Sequence, residues 1–168
     1  MADTRIEHTL NLGEDAFWSA FFSTDYNHAL FLGELQFESW KVVSQDDKGD
    51  RIERVVDVTP KMPELPGPLK KLAEGGASYR ERNAFNKGTK RMTVVVEPST
   101  LQGKLTVSGV VQTQAISEKQ CRRIAEFTVN AKVFGIGGLI ENKMLSEIRT
   151  SYDKAAAFTN RWAKDKGL

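Results

Sequence analysis

Residues 139–162 read LIENKMLSEIRTSYDKAAAFTNRW. Within them Ile140, Met144, Ile148, Tyr152, Ala155, Thr159 and Trp162 recur at steps of three and four, while Glu141, Lys143, Glu147, Arg149, Lys154 and Arg161 fall mostly elsewhere. That spacing predicts one amphipathic helix of about seven turns. A helix with so long an apolar stripe needs a surface to bury it against. Just upstream, Gly135-Ile136-Gly137-Gly138 divides it from chain of a different periodicity.

Most of that upstream chain alternates with period two, the mark of strands with one buried face. Thr4–Leu12 is the first such stretch, with Ile6, His8, Leu10 and Leu12 in one phase. Two short helices follow: Glu14–Ser23, with Ala16, Phe17, Ala20 and Phe21 on one face, and a second that begins at the capping run Ser23-Thr24-Asp25 and ends at Gly33. Alternation resumes from Leu35 through Trp40, turns at the polar run 45–50, and returns over Arg51–Thr59. Three of the remaining strands are expected over Ala77–Phe85, Lys90–Glu97 and Leu105–Val111, and the last over Cys121–Phe134, whose inner phase would hold Ala125, Phe127, Val129, Ala131 and Val133. Pro60–Gly76 interrupts the series with four of the five prolines and one short helix, Leu69–Glu74. An excursion of that length is expected either to gate a site or simply to connect.

The order is thus strand, two short helices, six strands, long helix, an α+β arrangement. Short connections make the strands antiparallel neighbours. A meander of about seven strands, buried on one face, has the terminal helix as its only large apolar cover, so the sheet must curl around it. A cavity is expected between concave face and helix.

Composition fits this frame. The chain has 168 residues, enough for one core, and a single domain over 1–168 is expected. Its 24 basic and 22 acidic side chains leave +2, too little to imply nucleic acid as a partner. The basic pairs Lys70-Lys71 and Arg122-Arg123 are expected to be solvated. Cys121 is the only cysteine, which removes internal disulfides and multi-thiolate metal sites. With no basic-then-apolar leader over the first residues and no long apolar run, a cytoplasmic protein is expected.

Four phrases carry a resemblance: 25-DYNHAL-30, 97-EPSTL-101, 132-KVFGIGGLIE-141 and 151-SYDKAA-156. Together with the element order they are similar to a bacterial family of unknown function in the START-like superfamily, also called helix-grip or SRPBCC. That superfamily includes steroidogenic-acute-regulatory-type lipid transfer domains, birch-pollen-allergen-type carriers and polyketide cyclases. The resemblance implies the helix-grip fold and a cavity for a lipid, sterol or polyketide-like molecule.

No catalytic residue, cofactor or metal site is expected. His8 and His28 lack the spacing that brings two ligands onto one helical face, and no Gly-x-Ser-x-Gly elbow exists. The 135–138 glycine run departs from dinucleotide and phosphate-loop spacing, which leaves it the task of reversing the chain and admitting the helix close to the sheet. Polar residues on apolar strand phases are more informative: Arg54 shares a phase with Val56 and Val58, and Glu81 and Asn83 share one with Tyr79 and Phe85. Facing a cavity, each needs a partner, from the protein or from a ligand head group. The expected ligand-binding set is Trp40, Arg54, Tyr79, Glu81, Asn83, Phe85, Met92, Val94, Val107, Phe127 and Val129, around an apolar small molecule admitted past Pro60–Gly76. Two alternatives stand beside binding and transfer. One is a cyclase, aromatase or hydrolase-type enzyme using Glu81, Tyr79 or Arg54 in the same cavity. The other is a non-catalytic interaction module touching membranes through Leu69, Lys70, Lys71 and Leu72.

Overall fold

The computed structural model describes residues 1–168. Seven strands form one antiparallel sheet: β1 (Ala2–Leu10), β2 (Ser39–Asp47), β3 (Arg51–Thr59), β4 (Tyr79–Asn86), β5 (Arg91–Pro98), β6 (Leu105–Ser117) and β7 (Gln120–Ala131). Their spatial order is β1-β7-β6-β5-β4-β3-β2, so the first strand returns beside the last. The helices are α1 (Glu14–Phe21), α2 (Thr24–Asn27) running into a π-helical turn over His28–Glu34, α3 (Gly67–Ala73) and the long α4 (Gly137–Lys166). At about 1.5 Å per residue, the 30 residues of α4 reach about 45 Å along the concave face. No helix is long and apolar enough to cross a membrane.

Inward phases run across the sheet in register. Arg54 stands opposite Asn83, Asn83 opposite Val94, Val94 opposite Gly109 and Gly109 opposite Phe127. Gly109 has a specific duty in this row, because a Cβ there would collide with the Phe127 ring. Without one, that ring lies against β6 and still leaves room for Tyr152 of α4, edge-on at 5.5 Å. The glycine run before α4 works similarly: Gly135 takes a φ of +79°, and a Cβ on Gly137 would strike the Ala131 carbonyl. Glu141 then anchors the first turns of α4 by accepting the Ala131 amide at 2.9 Å.

Several boundaries differ from the sequence expectation. The second short helix is α-helical for only four residues before widening into the π-helical turn, although its expected cap is present: the Ser23 hydroxyl accepts the Tyr26 amide at 3.4 Å. β7 ends at Ala131, short of Phe134, whose side chain is fully exposed. The two basic pairs behave differently from each other. Lys70 and Lys71 are exposed, and so is Arg122, but Arg123 is only 4% exposed. Strand parity explains this, since Arg123 shares the inner face with Ala125 and Phe127 while Arg122 points out.

Candidate functional site: a cavity beneath the long helix

Between sheet and α4 lies a cavity of about 390 Å³, within the roughly 300–1,000 Å³ typical of small-molecule sites. Of the 41 residues that wall it, 27 are hydrophobic, so its interior suits an apolar guest. The sheet contributes Met92, Val107, Val111 and Phe127, and α4 contributes Ile140, Met144, Ile148 and Tyr152. The 60–76 excursion supplies another side with Pro60, Met62, Leu65, Leu69 and Leu72. Leu69 is 4% exposed and Leu72 packs on the same core, so the leucines expected to meet a membrane are turned into the cavity. The lysines of α3, Lys70 and Lys71, stay outside.

One polar wall is built around Arg54, 2% exposed. Its Nε donates to Asn83 Oδ1 at 3.1 Å and its Nη1 to the Phe21 carbonyl at 2.9 Å. Asn83 in turn donates from Nδ2 to Glu81 Oε1 at 2.8 Å, linking the cation to a carboxylate through an amide. The rings of Phe21, Phe22 and Trp40 surround the guanidinium at 4.6, 5.0 and 5.5 Å. Burial pulls its pKa down to about 10, with Glu81 acting the other way, so it stays charged at neutral pH. Asn27 shares the Phe21 carbonyl, donating to it at 2.7 Å and to Ser23 O at 2.6 Å. Those two donations fix its amide, and they leave the buried Oδ1 without a donor.

The opposite wall is built around Arg123. Its Nη2 donates to His8 Nδ1 at 3.1 Å and to the Tyr152 carbonyl at 3.0 Å, and its guanidinium lies 4.7 Å from the Tyr152 ring centre. Because His8 Nδ1 accepts, its Nε2 carries the proton and donates to Asp153 Oδ1 at 2.7 Å. Burial lowers the pKa of Arg123 and also that of His8. Enclosure raises the phenol pKa of both Tyr79 and Tyr152, which therefore remain hydroxyl donors. Near this wall Cys121 is fully buried, and burial pushes its thiol up to about 11, the behaviour of an apolar filler.

Of the residues expected at the site, Trp40, Arg54, Tyr79, Glu81, Met92, Val107 and Phe127 line the cavity. The other four share the face but not the hollow. Asn83 sits behind Arg54, and Phe85 is stacked 4.2 Å from Trp18 in the plugged part of the core. Val94 and Val129 are buried in the packed core alongside. Sequence reading missed Arg123, Asn27, Tyr26, Phe17 and Phe21, which also line it. For Arg123 the parity with Ala125 and Phe127 was the available signal.

A family model described as "Protein of unknown function (DUF2505)" matches residues 5–163. The chain belongs to the DUF2505 family. A sequence search of curated proteins returns no match to it. Among solved structures this DUF2505 chain is similar to the Zhui aromatase/cyclase of a Streptomyces species, at 9% identity and TM-score 0.69 over 99% of this chain and 97% of that one. It is similar to a Thermus thermophilus protein at 12% identity and TM-score 0.69, over 99% and 100%. It is also similar to norcoclaurine synthase from Thalictrum flavum, solved with dopamine and hydroxybenzaldehyde, at 12% identity and TM-score 0.63 over 98% and 87%. At such identities the likeness establishes the START-like, helix-grip fold and nothing finer.

Proposed function

We propose that the protein binds, and hands on, a hydrophobic small molecule held between the sheet and α4. The observation that carries this is the cavity's apolar wall, closed on one side by the Pro60–Gly76 excursion. At about 25 cal/mol per Å² of apolar surface removed from water, even a modest guest reaches micromolar affinity. α3 serves as the gate: Leu69 and Leu72 face the guest, and Lys70 and Lys71 face the solvent or an acidic surface at which cargo is exchanged. Native mass spectrometry after mild purification tests the proposal. A lipid-sized mass that leaves on collisional activation is expected, whereas apo mass alone, with no uptake of an added hydrophobe, would refute it.

A second reading, an enzyme of the cyclase or aromatase kind, is favoured by Tyr79 and Glu81 lining the same hollow beside Arg54. A protonated phenol and a carboxylate next to a fixed cation can polarise a carbonyl and accept a proton from a carbon beside it. Structural relatives that carry enzyme names support this reading. Tyr79→Phe and Glu81→Gln separate the two readings, because a carrier keeps its guest in both and an enzyme loses turnover while retaining binding.

A further inference from the structure

The charges that face the cavity do not balance. Glu147 is held by Lys143 at 2.7 Å, and Glu81 is tied to Arg54 through Asn83. Lys61, at the exposed rim, donates to Gln36 Oε1 at 3.1 Å. Arg123 is different. It is 4% exposed, its Nε is sealed from water with no acceptor, and Nη1 makes no hydrogen bond. The carboxylate that acts on it, Asp153, is taken by His8 Nε2, one imidazole away. An enclosed cation without an anion in contact is costly to keep. A guanidinium has five N–H donors in a planar fork that matches a carboxylate.

The surroundings continue from this polar point into the apolar wall. The Tyr152 ring lies 4.7 Å from the guanidinium of Arg123 and 5.5 Å from the ring of Phe127, which stands four residues along the same strand on the same face. Enclosure keeps the Tyr152 hydroxyl protonated, so the ring that packs on the cation carries a donor of its own. Building on the reading of the cavity as a ligand site, we propose that its guest is an amphipathic acid whose carboxylate docks on Arg123 and Tyr152, with the apolar body running along Phe127.

Dodecanoate and dodecanol, matched in chain and different in head group, test this by displacement of Nile red from the intact protein at pH 8. Dodecanoate is expected to bind about tenfold more tightly than dodecanol, and Arg123→Met to bring the two within about twofold while dodecanol binding persists. A signal that does not depend on the variant folding comes from ¹⁵N-labelled arginine in the unmutated chain. The Arg123 Nε–H resonance should shift with dodecanoate and stay with dodecanol. Equal affinities for acid and alcohol, or a preference that survives Arg123→Met and disappears in Arg54→Met, would overturn the assignment and leave the cavity reading intact. Failure of both compounds to displace Nile red would overturn the two together.

Discussion

The two ends of the concave face are made by the same strands and filled differently. At one end the aromatic rings of α1 plug the sheet: Trp18 stacks on Phe85 at 4.2 Å, meets Phe17 edge-on at 5.1 Å and Phe21 at 5.4 Å, and anchors its indole N–H on the Thr113 hydroxyl at 2.9 Å. Leu10 and Leu12 are fully buried there. At the other end the cover is the proline-rich 60–76 excursion together with the first half of α4, and the cavity lies beneath them. A regular helix delivers rings at fixed spacing into the pleat, whereas an extended, proline-punctuated segment lies across the opening and leaves space under it. The hollow is the part of the core that the rings of α1 border but do not fill.

The largest effect should come from breaking the plug. Trp18→Ala removes the centre of the aromatic cluster, and a loss of about 3–5 kcal/mol in urea unfolding is expected. A result below 1 kcal/mol would mean that this end is as loosely filled as the other. Next comes Gly109→Ala, which sits at the boundary. The added methyl must displace Phe127, whose Cε1 would be 2.6 Å away, at a cost of about 1–3 kcal/mol. Since Phe127 lines the hollow, Nile red uptake should fall with stability, and calorimetry beside fluorescence would register both.

Leu72→Ser probes the open end, where stability and binding should separate. Leu72 is half-buried, so unfolding should change by no more than about 0.5 kcal/mol, while affinity for the hydrophobe drops several-fold. Equal losses in both would place this residue in the packed core. The smallest effect concerns His8. Burial is the main reason its folded pKa lies below the ordinary 6.5; Arg123 and Arg149 push the same way and the Asp153 hydrogen bond opposes. The unfolded chain therefore takes up the proton first, so this contribution to stability is whole above about pH 6.5 and is lost as acidification passes through the lower folded value. Urea midpoints at pH 7.5 and pH 5 should differ more for the unmutated chain than for His8→Gln.

The contrast between the ends also marks what could be read from the sequence. Period two identified the strands, and the three-and-four spacing of 139–162 identified α4, because each side chain's face depends only on its place in the repeat. The same parity put Arg54, Tyr79 and Glu81 on the concave face. It could not tell how far along a strand the plug extends, which is why Asn83 and Phe85 share the phase of Tyr79 and Glu81 yet lie behind or beneath other side chains. That depends on where α1 lands, a tertiary fact. Arg123 was obscured for another reason: adjacent arginines suggest a solvated pair, although neighbouring strand residues always face opposite ways. The π-helical turn that brings Leu30 and Phe31 to the cavity has no comparable signature in the residue pattern.

One end of the core, then, is hollow and takes a guest, while the other is solid. Methyl-resolved NMR during a titration with dodecanoate addresses it most directly. Met92, Val107, Met144 and Ile148 line the cavity and should shift and saturate together, while Ile6, Leu10 and Leu12 stay in place. Shifts confined to exposed methyls such as Val42, Val43 and Leu139, or none at all, would contradict it.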